Sequence, residues 1–346
     1  MTTFTRRIAL TAVAAAAFAS LPALAAEKVN LGVSIPAATH SFMGGINYWA
    51  NQAKKDLEKE HKDLKITIKT AANAPEQANQ LQDLSTVTKI NALVVFPFES
   101  AALTKPVAQV KAKGAYVTVV DRGLTDTSAQ DAYVAGDNTA FGKIPAEYIV
   151  KQLGGKGNVV EMRGIAGVPA DTDRHTGFRQ ALKKYPGIKV VKQTFTGWQF
   201  ATGGKQILDI LNSGVKVDGV WTSGIDYTIV NAFRTAHKKL VPVVGADNNQ
   251  FLKQLMTVKG FRGAAVTNPA TIGGVGAAIA IKLLDGQSVP NWVKLTPQVW
   301  DNKTATGMKQ IKANYSPSRP PTYSARLQVK PWTTYSTQQL FSCKGP

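Results

Sequence analysis

The chain has 346 residues, a formal net charge of +19 and one cysteine, Cys343. A lone cysteine excludes a disulfide within the chain, so stability has to come from packing, and the length suits two domains with well-filled cores. Lys residues are spread over many predicted helix faces (Lys54, Lys55, Lys111, Lys113, Lys183, Lys184, Lys238, Lys239), which describes solvated surfaces and argues against a nucleic-acid groove.

Taken in order, the chain starts with an export signature. Arg6 and Arg7 precede the apolar run Ile8 to Ala19, and Ala23-Leu24-Ala25 supplies a small-residue cleavage sequence. The run is too short to span a bilayer and is broken by Ser20 and Pro22. Cleavage is expected after Ala25, and removing Arg6 and Arg7 with the signal leaves +17.

Short β-branched runs then alternate with longer amphipathic segments, the pattern of βαβ units in a mostly parallel sheet. Strands are predicted over Val29 to Ile35, Leu64 to Thr70, Ala92 to Phe96 and Tyr116 to Val120, with helices over Ser41 to Glu58, Pro75 to Thr88 and Leu103 to Lys113. A second series has strands over Tyr133 to Ala135, Asn158 to Met162, Lys189 to Thr194, Gly219 to Thr222, Val241 to Ala246 and Gly263 to Val266. Two such series imply an α/β protein of two doubly wound lobes.

Crossings between lobes are expected between Val120 and Asn138, at Thr267-Asn268-Pro269, and after Pro290 to Pro297, and several crossings make a hinge. The first lobe is expected to hold residues 26–136 and about 268–297, and the second 137–267 and about 298–346. From Asp301 the tail carries seven basic residues against one acidic, with Ser316-Pro317-Ser318-Arg319-Pro320-Pro321 favouring extended backbone. Trp332, Tyr335 and Phe341 suggest that parts of this tail pack around one lobe.

Ligands of open α/β sheets bind beyond the carboxyl ends of the strands. The residues there include His40, Phe42 and Met43 after the first strand, Phe96 at the third, and Asp121 and Arg122 after the fourth. Farther on stand Asn138, Arg174, Trp198, Asp226, Asp247 and Asn268. Carboxylates, amides and guanidinium groups suit hydroxyls that both donate and accept, and aromatic rings cover the C–H faces of such a ligand. Any one of the Asp and Asn residues also fits a helix cap or a turn. It is their recurrence at nearly every strand end that points to a polyhydroxylated small molecule.

The ordered motifs Val33-Ser34-Ile35 with Ser41-Phe42-Met43, Phe96-Pro97, Val120-Asp121-Arg122, Gly136-Asp137-Asn138, Gly164-Ile165-Ala166-Gly167 with Arg174, and Val244-Gly245-Ala246-Asp247 resemble the ribose-binding protein family from about Lys28 to Gly286. The resemblance implies a periplasmic type I binding protein with three hinge strands, a sugar held between the lobes, and a membrane permease of an ABC importer as partner. It also implies a monomer without cofactor or nucleic-acid partner. Phe42 and Met43 would then cover one face of the sugar and Trp198 another. Asp121 and Arg122 would bind hydroxyls from the first lobe and Asn138, Arg174 and Asp247 from the second, with Thr267 and Asn268 at a hinge crossing. His40 and Phe96 stand where the family commonly has Asn, and Ser223-Gly224-Ile225-Asp226 where it has Asn-Asp, which points away from D-ribose toward another pentose, a different monosaccharide or a short polyol.

Other chemistries find less support. His40, His61, His175 and His237 show no close metal-ligand pairing, and Asp171, Asp173 and His175 fit a helix start. No nucleophile elbow or complete phosphate loop is present, so nothing in the sequence argues for an enzyme. A repressor-type regulator would need a helix-turn-helix where the export signature stands. A receptor presenting its closed form to a chemotaxis or sensor protein would read the same as a transport component.

Overall fold

A computed structural model of the protein describes residues 28–38, 41–324, 329 and 332. The export signature, His40 and Cys343 lie outside the described residues.

The first half runs β1 (Val29–Pro36), α1 (Ser41–Glu60), β2 (Leu64–Ala71), α2 (Ala74–Thr86), β3 (Ala92–Val95), α3 (Ser100–Ala112), β4 (Tyr116–Val120) and β5 (Ala132–Gly136). The second runs α4 (Asn138–Leu153), β6 (Gly157–Arg163), α5 (Pro169–Leu182), β7 (Ile188–Phe195), α6 (Phe200–Asn212), β8 (Gly219–Thr222), α7 (Asp226–Thr235), β9 (Val243–Ala246), α8 (Asn249–Thr257) and β10 (Gly263–Val266). After these, α9 (Ile272–Leu284), β11 (Trp292–Leu295), β12 (Val299–Asp301) and α10 (Ala305–Asn314) complete the elements.

Two six-stranded sheets result, ordered β11-β5-β4-β3-β1-β2 and β12-β10-β9-β8-β6-β7. All neighbours are parallel except β12, which runs antiparallel to β10. In strands buried on both faces, side chains of alternate residues feed separate cores. In β3, Ala92 and Val94 pack with α1 and α9 residues such as Ile46 and Val275, whereas Leu93 and Val95 pack with Leu81, Leu103 and Val107 of α2 and α3. The same division puts Val160 and Met162 of β6 in one core of the second sheet and Val159 in another.

Each sheet reverses its strand order beside its first strand, between β1 and β3 and between β6 and β8. Such a reversal leaves a crevice at the strands' carboxyl ends, because successive helices depart to opposite faces. The hinge lies where β5 leads to α4, β10 to α9 and β11 to β12. The crossings are tied together: Asp137 donates its backbone N–H to the Leu295 carbonyl at 3.1 Å, and Thr267 donates its own to the Gln298 carbonyl at 2.9 Å. Lys294 Nζ also reaches Asp137 Oδ2 at 2.7 Å.

Two sequence expectations are corrected. The strand at Tyr133, counted at the head of the second series though within the bounds expected for the first lobe, hydrogen-bonds between β4 and β11 in the first sheet. The tail does not stay with one lobe. Asn249 of α8 holds the Ser316 and Arg319 carbonyls at 2.8 and 2.9 Å, whereas Val329, 2% exposed, sits in the first sheet's core with Trp332 packed against it. Burial of these apolar groups is the physical reason for the return.

Within the second lobe, α4 and α5 approach so closely that a Cβ at Gly142 would lie 1.7 Å from the Arg174 carbonyl oxygen. Backbone on backbone cannot yield as a flexible side chain would. Gly142→Ala is therefore expected to lower the unfolding free energy by about 3 kcal/mol in urea melts.

Candidate functional site

An interlobe cleft opens between the carboxyl ends of the two sheets. The first lobe contributes Phe42 and Met43 from the start of α1, Phe96 from the end of β3, and Asp121 and Arg122 after β4. The second contributes Arg174, Trp198 and Asp247, and the hinge contributes Asn268. Nine of the twelve residues singled out from the sequence thus meet in one cavity.

Asp121 occupies left-handed backbone, with φ of 61°, an uncommon conformation for a residue with a Cβ and one that concentrates at functional sites. Its N–H donates to the Val134 carbonyl at 2.8 Å, and its carbonyl accepts from Tyr133 Oη at 2.7 Å. The backbone is pinned while the side chain faces the cavity. Burial pushes the Asp121 carboxyl above the usual range, opposed by the charges of Arg122 and, from the other lobe, Arg174. Arg122 donates to the Phe98 carbonyl, and its guanidinium lies 5.2 Å from the centre of the Phe96 ring. Phe96 itself is buried and forms apolar floor where the resemblance would place an amide.

Arg174 is 4% exposed. Its Nε donates to Asn138 Oδ1 at 2.9 Å, and its Nη1 reaches Ser223 Oγ at 3.2 Å. The guanidinium sits 4.2 Å from the Phe141 ring centre and 5.9 Å from that of Trp198. Trp198, also in left-handed backbone with φ of 56°, donates Nε1 to the same Ser223 Oγ at 3.3 Å. Its indole fits because Gly164 has no Cβ, which would lie 2.1 Å from the ring. Ser223 therefore holds the cation and the ring in register.

Asp247 is fully buried. Its Oδ1 accepts from the Asn268 N–H at 2.9 Å, and its Oδ2 accepts from Ser324 Oγ at 2.9 Å. These bonds fix the orientation of the carboxylate at the cavity wall.

The structure departs from the sequence reading at two residues. Asp226 turns under the end of β9, where its carboxylate accepts from the Ala246 N–H at 2.6 Å and from Asn248 Nδ2. It is fully buried and supports the wall that carries Asp247. Asn138 stands one step behind the cavity, holding Arg174. Of the loop Ser223-Gly224-Ile225-Asp226 singled out after the strand, Ser223 and Gly224 line the cavity in place of Asp226; the reading passed over Phe200, and Thr322 and Ser324 from the C-terminal segment. Nothing local marks Thr322 or Ser324. Among the described residues no cluster of three or more His, Cys, Asp or Glu is placed to hold a metal ion.

Two doubly wound lobes, three linked crossings and a cleft lined from both sides define a two-lobed binding protein of periplasmic type I architecture. The chain belongs to the periplasmic binding protein family, whose domain model, "Periplasmic binding protein domain", matches residues 31–288. It is 29% identical to the xylitol-binding protein of Mycolicibacterium smegmatis over 216 residues, which covers 62% of this chain and 61% of that protein's length. It is 27% identical to the ribose import binding protein of Salmonella typhimurium over 286 residues, covering 82% of this chain and 94% of that protein. Among solved structures, an ABC transporter solute-binding protein from Thermobispora bispora superposes with a TM-score of 0.73 at 22% identity, covering 87% of this chain and 92% of that one.

Proposed function

We propose that this protein is the periplasmic solute-binding component of an ABC importer and that it holds a small polyhydroxylated ligand, a pentose, another monosaccharide or a short polyol, between its lobes. The observation that carries this reading is the composition of the cleft. Two carboxylates on opposite lobes, Asp121 and Asp247, share one cavity with Arg174 and the rings of Phe42, Phe96 and Trp198. Ligand hydroxyls donate to the carboxylates and accept from the guanidinium, while the rings cover apolar C–H faces. The names of the xylitol- and ribose-binding relatives agree with this chemistry. Phe96 withholds a polar partner, which favours a ligand with an apolar edge there.

In this reading the protein acts by binding alone. A ligand that touches both lobes stabilises the closed state through contacts the open state lacks, and a membrane permease recognises that closed form. The lobes divide at about residue 136, with residues of about 268–297 returning to the first.

A thermal-shift screen of the chain from Ala26 onward against pentoses, hexoses and polyols tests the proposal. A cognate ligand at 100 times its Kd adds about 2.7 kcal/mol to stability and raises Tm by several degrees. Asp247→Ala is expected to remove that rise. A blank across the panel, or a full shift in the Asp247 variant, overturns the assignment.

A further inference from the structure

The C-terminal segment reaches the cleft from outside the 31–288 region that defines the family. Thr322 and Ser324 both line the cavity, and the Ser324 hydroxyl donates to Asp247 Oδ2 at 2.9 Å. We propose that Ser324 is a specificity-determining residue, supplied by this segment, whose hydroxyl occupies one of the positions on Asp247 that a longer ligand's own hydroxyl would take.

The segment is built in as a wall. Asn249 donates its backbone N–H to the Tyr323 carbonyl and Gln250 donates its own to the Pro321 carbonyl, both at 2.9 Å. The Asn249 side chain bonds Ser316 in both directions, accepting from its N–H at 3.1 Å and donating to its carbonyl at 2.8 Å. Asn248 and Ser324 form an antiparallel bridge, and Tyr323 between the two lining residues is buried. On the far side, Val329 is anchored in the first lobe's core, so the residues flanking this stretch are held on both lobes.

The chemistry follows from the donor count. The Ser324 hydroxyl uses its single proton on Asp247, and its oxygen remains an acceptor in the wall. A ligand that ends short of Ser324 can donate to that oxygen. A ligand carrying one more hydroxymethyl group meets a carboxylate position that Ser324 already occupies. The structure thus assigns preference to the shorter members of the hydroxylated class.

This inference rests on the binding role proposed above, and calorimetry on the chain from Ala26 onward separates the two. The titrants are erythritol, xylitol, D-xylose, D-allose and sorbitol. For Ser324→Ala the Kd of the best four- or five-carbon ligand is expected to rise about tenfold, the scale of one hydrogen bond within a charged network. Six-carbon ligands, able to use the released Asp247 position, are expected to lose less than threefold or to gain. Ser324→Thr, which keeps the hydroxyl, is expected to retain the wild-type rank order. If Ser324→Ala folds poorly, Ser324→Cys, which keeps the shape and replaces the hydroxyl with a weak donor, is read by the same change in rank order. Equal loss for every ligand, or an unchanged profile, overturns the proposal while leaving the binding role intact. A wild-type protein that binds none of the panel overturns both.

Discussion

Arg174→Ala is expected to raise the Kd for the cognate ligand at least about hundredfold and to lower the unfolding free energy by about 3 kcal/mol, read by calorimetry and by denaturant melts. The two effects share a cause. The guanidinium is almost wholly buried and sits over the Phe141 ring, so truncation leaves a cavity and strands the groups it satisfied. Asn138 Oδ1 loses its donor and Ser223 Oγ loses one of two, and an unmet buried polar group costs about 1–3 kcal/mol. Affinity falls further because Arg174 opposes the upward shift of the Asp121 carboxyl. Without it, Asp121 holds its proton more readily and becomes a poorer acceptor for ligand hydroxyls. Arg174→Lys is expected to recover little, since one ammonium group cannot serve Asn138 and Ser223 in the geometry of a planar fork. A Kd within twofold of wild type in the alanine variant would remove Arg174 from the site.

The fold was legible because its signals are local. Runs such as Leu93-Val94-Val95 and Val117-Thr118-Val119-Val120 have the continuous apolar character of strands covered on both faces, and the observed strands β3 and β4 fall on them. Strand ends also located the cleft, since topology dictates where they gather. What a strand end does not encode is the direction of the side chain that follows. Asp121 and Asp226 are both acidic residues near strand ends, yet the first faces the cavity and the second turns inward as the first residue of α7. That choice depends on Ala246 and Asn248, about twenty positions away in sequence. β11 and β12, of four and three residues, carry too little pattern to be drawn without their partners β5 and β10. Ser324 lies beyond any such reading, because its contact with Asp247 spans 77 positions and follows from the path of the whole tail.

Asp226 gives the second large effect, and its sign follows from burial. The carboxyl is pushed up to about 8 from 3.8 because desolvation outweighs the hydrogen bonds from Ala246 and Asn248, with the neighbouring Asp247 adding to the rise. Between about pH 4 and pH 8 the folded chain therefore keeps a proton that the unfolded chain has released. Stability is full below the unfolded value and falls as pH rises toward the folded one, by up to about 1.4 kcal/mol per unit inside that window. Denaturant melts of the wild type from pH 5 to pH 8 are expected to show a loss of a few kcal/mol. Asp226→Asn is expected to flatten the part of that slope due to this group, because an amide is neutral throughout and its oxygen can still accept from the Ala246 N–H. The comparison isolates Asp226 from Asp121 and Glu161, whose carboxyls burial also raises and which contribute equally to both profiles. Parallel profiles for the two proteins would show that Asp226 is ionised across the range. Because Asp226 lies beneath the cavity wall and does not line the cavity, the Asp226→Asn protein is expected to bind ligand at pH 7 within about threefold of wild type.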